Sequence, residues 1–446
     1  MQIKQFEDKS LAHYSYAVLS ECTKKIVLID PSRNPAAYLA FAKDNDAEIT
    51  AIIETHPHAD FISSHLELHL TTGAAIYTSK LVGAAYPHKS FDKGDHLQIG
   101  KIKLSAINTP GHSPDSICIV LEHDNVPKAV FTGDTLFIGD CGRPDLREQA
   151  GEISTDRFEL GKQMYHSLRN ELMLLPEDTI VYPAHGAGTL CGKSLSKASS
   201  STIGKEKETN WSLQAQTEDE FLKELLTDQP FIPAYFPFDV ALNKQGAPAF
   251  QASVDAINIE LLTDLNTIEN TIWKIDIRKE NIYKKGHLPM SINLMEEEKM
   301  ETWLGSMIQP NEAFYLIGDN AASVKAIIER AAAIGYEPQI KGAYILQDGN
   351  VKTESINFDT FNANREQYTI IDVRNREEVN KKKIFQNSLS FPLGELRNNV
   401  DKIPTNKPIV VHCAGGYRSA AASSFLQSEF NDKVKVFDLG EAVKSY

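Results

Sequence analysis

The sequence contains few cysteines and no long apolar run. Only 5 of its 446 residues are cysteine, and no two form a CxxC pair, so neither a disulfide framework nor a cysteine zinc site is indicated. No stretch approaches the roughly 18 consecutive apolar residues of a transmembrane helix. The charged N-terminal segment also lacks the apolar centre of a secretory signal. These absences predict a cytoplasmic protein without a membrane partner.

Positive charge is also in short supply. The formal net charge is −14, whereas a nucleic-acid-binding surface needs a basic face, so we expect no nucleic-acid partner. The length exceeds that of one ordinary domain, and 42% hydrophobic residues is typical of a globular protein. Several folded domains are therefore expected.

The first 190 residues or so alternate β-rich runs with helical stretches. Each run is apolar or β-branched and ends at polar or Gly/Pro residues. The predicted strands are 25–30, 49–55, 74–79, 101–107, 116–122, 128–134 and 179–184. The polar, serine-rich segment 193–210 is interpreted as an exposed loop or linker, 221–226 as a helix, and the proline- and aromatic-rich run 230–238 as extended chain.

The second half of the chain contains an internal repeat. Residues 271–294 resemble residues 368–393, with Asp276 aligned to Asp372. Each copy shows a strand, a polar helix and a buried apolar strand, a pattern that predicts a parallel sheet. The expected domains of this α/β multidomain protein are 1–252, 253–355 and 356–446.

Histidine and aspartate side chains gather at the ends of predicted strands. The motif THPHAD supplies His56, His58 and Asp60, and three further candidates follow later strands. They are His112, Asp134 and His185. Strand ends in a packed α/β protein converge on one edge, and imidazole and carboxylate suit zinc, iron and similar metals, so a metal site is predicted. His65 and His69, at i,i+4 of a predicted helix, are interpreted as solvent-facing.

The motifs HxHxD, GHS, GDT and PAHG, in this order, resemble the metallo-β-lactamase superfamily over roughly residues 1–250. The resemblance implies two mixed β-sheets packed face to face with helices outside. Hydrolases of the superfamily usually extend the first motif to HxHxDH, and the final histidine binds a second metal. Here that position is Phe61. A second metal would keep only Asp60, His185 and Asp134, so a two-zinc hydrolase is disfavoured.

The segments 131–146 and 234–237 resemble the persulfide dioxygenase branch of that superfamily. This resemblance implies one Fe(II) per chain, held by two imidazoles and a carboxylate with positions left open for a persulfide and O2. The implied ligands are His56, His112 and Asp134. The groups implied to orient ligands and handle protons are His58, Asp60 and His185.

Three more residues near these motifs are candidates for a role. Arg143 could hold a carboxylate of a thiol such as glutathione, and a buried ion pair with a loop aspartate is an equal alternative. Cys141 and Cys191 could form persulfides, although packed, idle thiols are favoured.

The segment 407–426, with a strand that runs into Cys413 and then AGGYRS, resembles the rhodanese active loop. Glycines let backbone N–H groups turn inward, and the following helix points its positive end at the sulfur, so thiolate is favoured. Arg418 adds donors for sulfite or thiosulfate oxygens. The candidate substrate-binding residues are Gly415, Gly416 and Ser419, whereas Asp372 and Arg374 are expected to brace the fold.

The first copy of the repeat has lost these groups. It keeps GHLP, which the second copy lacks, but Gly318 stands in place of Cys413 and Ser323 in place of Arg418. We interpret this copy as an inactive scaffold, with binding or oligomerisation as other roles.

The leading hypothesis is an enzyme that oxidises small thiol persulfides, of the glutathione or coenzyme A type, with O2 to sulfite and thiol. Cys413 would then move sulfane sulfur among thiosulfate, sulfite and persulfide. One alternative is a thioester hydrolase that resembles glyoxalase II and carries a rhodanese module, which would need two metals. Another is a persulfide-sensing scaffold. The resemblance is also compatible with a homo-oligomer.

Overall fold

The computed structural model describes residues 1–148, 156–297 and 299–446. The chain forms two compact units. The first comprises Met1–Ala252 with Ala333–Gly335, and the second comprises Ser253–Ala332 with Tyr336–Tyr446. Within the described ranges, no helix is both long and apolar enough to cross a bilayer.

The first unit contains two mixed β-sheets, each with six strands among its described residues. One sheet has the order β1-β2-β3-β4-β5-β6, made of Gln2–Asp8, His13–Ser20, Lys25–Ile29, Glu48–Ile53, Ala75–Thr78 and Lys89–Ser90. The other has the order β12-β11-β10-β9-β8-β7, where β7 to β12 are His96–Ile99, Ile102–Asn108, Ile117–His123, Val126–Gly133, Ile180–Pro183 and Ser201–Thr202. The strands predicted from the sequence are all present, within two residues of their predicted limits.

Both faces of these sheets are covered, which explains the apolar composition of the strands. Tyr16 and Val18 of β2 pack into the core between the sheets together with Phe131 of β10. Ala17 and Leu19, on the opposite face of β2, belong to a second core beneath the outer helices. The side chains of a strand alternate between its two faces, so β2 is buried along its whole length.

Helices flank the two sheets on their outer faces. In chain order they are α1 Ala36–Asp44, α2 His65–Thr72, α3 Arg157–Asn170, α4 Ile203–Thr209, α5 Glu218–Leu226, α6 Phe236–Gln245 and α7 Phe250–Asp255. Helices α1 and α2 contribute to the outer core of the first sheet. Helices α3, α4 and α5 contribute to the outer core of the second.

The structure differs from the predictions made from the sequence at three places. The segment 193–210 is not only a loop, because α4 forms within it and buries Ile203. The extended run 230–238 gives way to α6 at Phe236, where Pro237 occupies the first turn, a position that tolerates proline. His65 is buried rather than solvent-facing, whereas its neighbour His69 is half-buried.

The second unit contains two parallel sheets, whose strand orders correspond except that the first sheet has an additional edge strand, β13. The first has the order β13-β17-β16-β14-β15, where β13 to β17 are Ile259–Leu261, Trp273–Asp276, Ser291–Asn293, Phe314–Gly318 and Ile340–Ile345. The second has the order β19-β18-β20-β21, where β18 to β21 are Thr369–Asp372, Leu389–Ser390, Ile409–His412 and Val436–Asp438. The helices are α8 Glu280–Tyr283, α9 Met300–Met307, α10 Ala321–Ala333, α11 Phe358–Ala363, α12 Arg376–Lys381, α13 Leu393–Leu396 and α14 Tyr417–Phe430. The repeat seen in the sequence is therefore a repeat of topology.

A buried Asp–Arg pair recurs at the same place in both copies. Arg278 pairs with Asp276 through Nε at 2.9 Å and Nη2 at 2.6 Å. In the second copy Arg374 pairs with Asp372 at the same two distances. Because each arginine also donates to a backbone carbonyl, at Gly286 or Lys382, the pair ties a strand end to the segment after its helix, which is the bracing role that the sequence predicts.

The strand end that carries Cys413 in the second copy has no room for a side chain in the first. A Cβ built on Gly318 would lie 2.5 Å from Cγ2 of Val324 and 3.3 Å from Cδ1 of Ile277. Valine cannot swing away because it is stiff at χ1. The first copy therefore differs from the second in its packing at this position as well as in the missing thiol.

We expect Gly318→Ala to lower the free energy of unfolding by about 1–3 kcal/mol, since overpacking of a filled core forces neighbours to shift. Val324→Ala removes the obstructing methyl groups, so Gly318→Ala should cost much less in that background. Urea denaturation of the wild type, both single variants and the double variant measures the coupling. An equal cost of Gly318→Ala in both backgrounds would contradict the packing argument.

Candidate functional site

The first motif lies on a turn that Asp30 holds in place at the end of β4. Thr55 donates its backbone N–H to Oδ1 of Asp30 at 2.7 Å and its hydroxyl to Oδ2 at 2.8 Å. The same Thr55 hydroxyl lies 3.0 Å from Nδ1 of His56, which leaves Nε2 of His56 to face the cluster. Asp30 was not singled out from the sequence, although it is the last residue of the predicted strand 25–30 and directly follows β3, where a carboxylate can cap a neighbouring turn.

His56, His112 and Asp134 come together from three strand ends. Their ligand atoms all lie within 4.8 Å of one another, and all three residues are buried. Nε2 of His112 lies 3.4 Å from Oδ2 of Asp134, and Nε2 of His56 lies 3.9 Å from the same oxygen. Nδ1 of His112 donates to the backbone carbonyl of Arg143 at 2.8 Å, so this ring also turns Nε2 toward the carboxylate.

The donor set fits a divalent metal ion. Both carboxylate oxygens of Asp134 are buried and have no hydrogen-bond partner among the described residues, and such a carboxylate is costly unless a cation compensates it. Burial, followed by the neighbouring imidazoles, lowers the pKa of His56 well below its usual value, and burial also lowers the pKa of His112. Both rings are therefore neutral at pH 7, the form that binds metals.

His58, Asp60 and His185 form a second buried cluster beside the first. Nε2 of His185 lies 3.4 Å from Asp60 and 3.5 Å from Oδ1 of Asp134. Burial alone would lower the pKa of His185, but the carboxylates of Asp60 and Asp134 outweigh it and raise that pKa. Burial raises the pKa of Asp60. The six predicted metal-site residues therefore meet at one edge of the sheets.

His13 joins this group from β2, a strand that the sequence analysis did not identify. His13 and His185 form an isolated antiparallel bridge. The backbone N–H of Tyr14 donates to Ala184 at 2.6 Å, and Nδ1 of His185 lies 3.2 Å from the carbonyl of Ala12. The N-terminal hairpin therefore fixes the ring of the last histidine of the cluster.

Phe61 occupies the space between two imidazole rings. Its ring centroid lies 3.8 Å from that of His13 and 4.3 Å from that of His58. The side chain is buried, so an apolar ring stands where HxHxDH sequences have their final histidine. This contact is consistent with the expectation from the sequence that a two-zinc site is disfavoured.

Arg143 lies in a buried ion pair rather than in an open pocket. Its Nε and Nη2 donate to the two oxygens of Asp145 at 2.6 and 2.7 Å, and Nη1 donates to the carbonyl of Leu190 at 3.2 Å. The arginine is only 1% exposed. All three nitrogens are engaged, which is the buried loop ion pair that the sequence analysis gave as the alternative to substrate binding.

The two cysteines near the motif loops are buried thiols. Burial raises the pKa of Cys141 and of Cys191 well above the usual value. The sulfur of Cys191 nevertheless lies close to the metal cluster, since it forms a group of possible ligand atoms with Asp134 and His185. The sequence indicated only that this cysteine is near a motif.

Cys413 lies at the end of β20 inside a tight loop. The backbone N–H of Gly416 donates to its sulfur at 3.0 Å, and the sulfur lies 3.7 Å from the hydroxyl of Ser419. Gly416 has a φ of +107°, and a Cβ there would meet the backbone N of Glu441 at 3.1 Å, so glycine is required. Cys413 is 2% exposed, and α14 begins directly after the loop at Tyr417.

Arg418 is held by a partner that the sequence did not reveal. Its two terminal nitrogens donate to Glu378 at 2.5 and 2.8 Å. Burial alone would raise the pKa of Glu378, but the hydrogen bonds and charge of Arg418 outweigh it and lower that pKa. The guanidinium therefore faces a compensating carboxylate rather than open space.

A cavity of about 1050 Å³ opens beside the cysteine loop. The second copy contributes Gly415 and Gly416, and the first copy contributes lysines that flank α8. These lysines are Lys279, Lys284 and Lys285. The first copy thus forms part of the wall of the space next to the loop.

Two family models match the chain in separate segments. The metallo-beta-lactamase superfamily matches residues 11–185, and the rhodanese-like domain matches residues 358–441. A crystal structure of a metallo-beta-lactamase from Staphylococcus aureus subsp. aureus COL is 30% identical, covers 78% of this chain and 99% of its own, and has a TM-score of 0.69. The expected fold class, a mixed α/β sandwich followed by rhodanese-like parallel sheets, is confirmed.

Curated relatives cover the first half of the chain. The mitochondrial persulfide dioxygenases ETHE1 of Bos taurus and Mus musculus are 33% identical over 184 residues and 30% identical over 241 residues. These matches cover 41% and 54% of this chain, and 66% and 85% of the relatives. A hydroxyacylglutathione hydrolase of Dictyostelium discoideum is 31% identical over 180 residues, which is 39% of this chain and 62% of that protein.

We expect Arg143→Gln to destabilise the first unit by about 3–5 kcal/mol at pH 7, because it leaves the buried Asp145 carboxylate without its partner. Burial alone would raise the pKa of Asp145, but Arg143 outweighs it and holds that pKa below its usual value. The wild type therefore keeps this stabilisation until the pH falls below the ordinary range of aspartate.

In the variant the pKa of Asp145 should rise, so the carboxyl becomes neutral on mild acidification. The difference in unfolding free energy between wild type and Arg143→Gln should then narrow as the pH falls from 7 towards about 4. Urea denaturation across that range measures it. A difference that stays constant with pH would rule out the charge argument.

Proposed function

Because the chain belongs to the metallo-β-lactamase superfamily, with persulfide dioxygenases among its relatives, and carries a rhodanese-like domain, we propose that it is a persulfide dioxygenase coupled to a sulfurtransferase. The first unit would convert a low-molecular-weight thiol persulfide, O2 and water to thiol and sulfite. The thiol would be of the glutathione or coenzyme A type. The observation that carries this proposal is the cluster of two neutral imidazoles and the uncompensated carboxylate of Asp134.

The metal assignment is one Fe(II) per chain, held by His56, His112 and Asp134. A non-haem iron with two imidazoles and one carboxylate supplies redox chemistry and open positions, which zinc does not combine. The support is the set of three buried ligand atoms within 4.8 Å of one another. The backbone contact at Nδ1 of His112 fixes which nitrogen of that ring is free.

The neighbouring cluster would orient these ligands and move protons. Nε2 of His185 is buried without a hydrogen-bond partner among the described residues and lies near both Asp60 and Asp134. His58 lies 3.2 Å from Asp30, so its ring is tied to the turn that presents His56. These groups are proposed as positioning residues rather than ligands.

Cys413 would carry sulfane sulfur as a cysteine persulfide and exchange it among thiosulfate, sulfite and thiol. The hydrogen bond from the backbone of Gly416 and the start of α14 both favour negative charge on the sulfur. Arg418, together with Gly415, Gly416 and Ser419, would form the wall of the loop that receives the sulfur compound.

A hydroxyacylglutathione hydrolase is the second candidate, since such a hydrolase is about as similar to the first half of the chain as the dioxygenases are. Its chemistry would need a metal-bound hydroxide between two metals. A second metal would have to use Asp60, His185 and the shared Asp134. The packing of Phe61 against His58 and His13 argues against that arrangement.

Metal content and O2 uptake, measured on protein purified without oxygen and supplied with glutathione persulfide, test the first activity. We expect about one iron per chain, with O2 consumed and sulfite formed. His112→Ala should lose iron and O2 uptake together, whereas His69→Ala, a half-buried histidine outside the cluster, should keep both. About two zinc ions per chain with turnover of S-lactoylglutathione and no O2 uptake would assign the hydrolase instead.

Cys413→Ser tests the second activity. We expect loss of thiosulfate sulfurtransferase activity by at least about a hundredfold, because the hydroxyl cannot hold sulfane sulfur, while O2 uptake with glutathione persulfide stays unchanged. Cys22→Ser, at an exposed cysteine, is the matched control. Sulfur transfer that survives in Cys413→Ser would remove this residue from the mechanism.

A further inference from the structure

Two arginines follow the metal-site aspartate within one short segment, and they differ in their surroundings. Arg143 is engaged through all three nitrogens, as described above. Arg147 ends the single 3-10 turn Asp145–Arg147 and is 3% exposed. The sequence analysis considered only Arg143 for substrate binding, because Arg147 lies outside the recognised motif.

The guanidinium of Arg147 is buried with most of its donors unused. Nη2 lies 3.2 Å from Oδ2 of Asp115. Nε and Nη1 are buried and have no partner in the part of the chain that the structure describes. A buried charged group with unmet hydrogen bonds is costly and is rarely left so in a native protein. The arrangement therefore indicates a ligand with acceptor atoms.

The unused donors belong to a guanidinium that lies beside the metal cluster. Asp115 is on the same loop as His112 and accepts a hydrogen bond from Ser113, so its pairing places Arg147 on the His112 side. The positive charge of Arg147 also affects the pKa of two histidine rings at different strand ends. After burial and the neighbouring imidazoles, it further lowers the pKa of His56, and it contributes to the lowered pKa of His112.

We propose that Arg147 is the oxyanion-binding residue of the metal site and that its ligand is sulfite, the product of persulfide oxidation. This inference rests on the proposed dioxygenase function. A guanidinium presents a planar fork that binds two oxygens of one anion. The residue is buried on the His112 side of the cluster, so it would meet the reacting end of a persulfide, whereas the body of the thiol would extend to solvent.

The chemistry generates an anion at that end. The balanced reaction is RSS⁻ + O2 + H2O → RSH + SO3²⁻ + H⁺. The S–S bond breaks, its electron pair stays with the thiol sulfur, and the terminal sulfur is oxidised while O2 is reduced. Both atoms of O2 and the oxygen of water end in sulfite. Arg147 would therefore meet a monoanion at the start and a dianion, with its charge spread over three oxygens, at the end, which favours sulfur oxidation.

Sulfite binding tests this role without turnover. Isothermal titration of sulfite into the anaerobic, iron-loaded full chain should give a dissociation constant that rises at least about tenfold in Arg147→Lys, which keeps a cation beside Asp115 but lacks the fork. Arg157→Lys, at an exposed arginine paired with Glu148, should leave the constant unchanged. Iron content and the unfolding temperature should not change in either variant.

A second variant guards against misfolding. Arg147→Gln combined with Asp115→Asn removes both buried charges, so it leaves no carboxylate unpaired. This double variant should also weaken sulfite binding. Equal sulfite affinity in the wild type and in both folded variants overturns the proposal. A second result would also overturn it: sulfite affinity stays unchanged, while the variants raise the KM for glutathione persulfide but not the KM for a persulfide without carboxylates. Arg147 would then bind a carboxylate of the thiol.

The outcome for this site is separate from the outcome for the enzyme. Sulfite binding that depends on Arg147 supports the oxyanion site even if glutathione persulfide drives no O2 uptake, a result that would remove the dioxygenase proposal alone. O2 uptake with sulfite formation, but without any effect of Arg147→Lys on sulfite affinity, would keep the dioxygenase and overturn the role of Arg147.

Discussion

The uncompensated carboxylate of Asp134 is the constraint around which the first unit is arranged. A buried carboxylate without donors is tolerated where a cation neutralises it. Here Oδ2 of Asp134 faces His112, whose lowered pKa keeps the ring neutral, and Oδ1 faces His185. The neighbouring groups follow from this requirement. Asp30 holds the turn of His56, and the Arg143 carbonyl sets the ring of His112.

The second unit depends on a different interaction, repeated twice. Each copy ties its first long strand to the segment after the next helix through one buried Asp–Arg pair. The framework is present in both copies, whereas the cysteine loop is present in one, because Gly318 packs against Val324 where the other copy forms a loop around Cys413. The bracing pair and the reactive loop are thus independent parts of this fold, and loss of the second leaves the first intact.

The sequence predicted the strands, the topology of the repeat and the meeting of six histidines and aspartates, because parallel strands end at a common edge. It did not predict β1 and β2, since their polar residues mask the alternation, and so it missed His13. It could not assign partners to arginines. Arg143 pairs with a carboxylate two residues away, whereas Arg418 pairs with Glu378, 40 positions away. Which carboxylate each arginine pairs with depends on burial and not on spacing.

The bridge between His13 and His185 joins the beginning of the first unit to the last of the metal-site histidines. During synthesis the ribosome releases His13 long before His185. The other histidines of the cluster lie between these two in the sequence, and they follow strands that pair only when the neighbouring strands are present. The cluster is therefore complete only once residue 185 has been made, after most of the first unit has emerged. A chain that ends before His185, or in which the N-terminal hairpin does not form, would lack this bridge and with it one side of the proposed metal site.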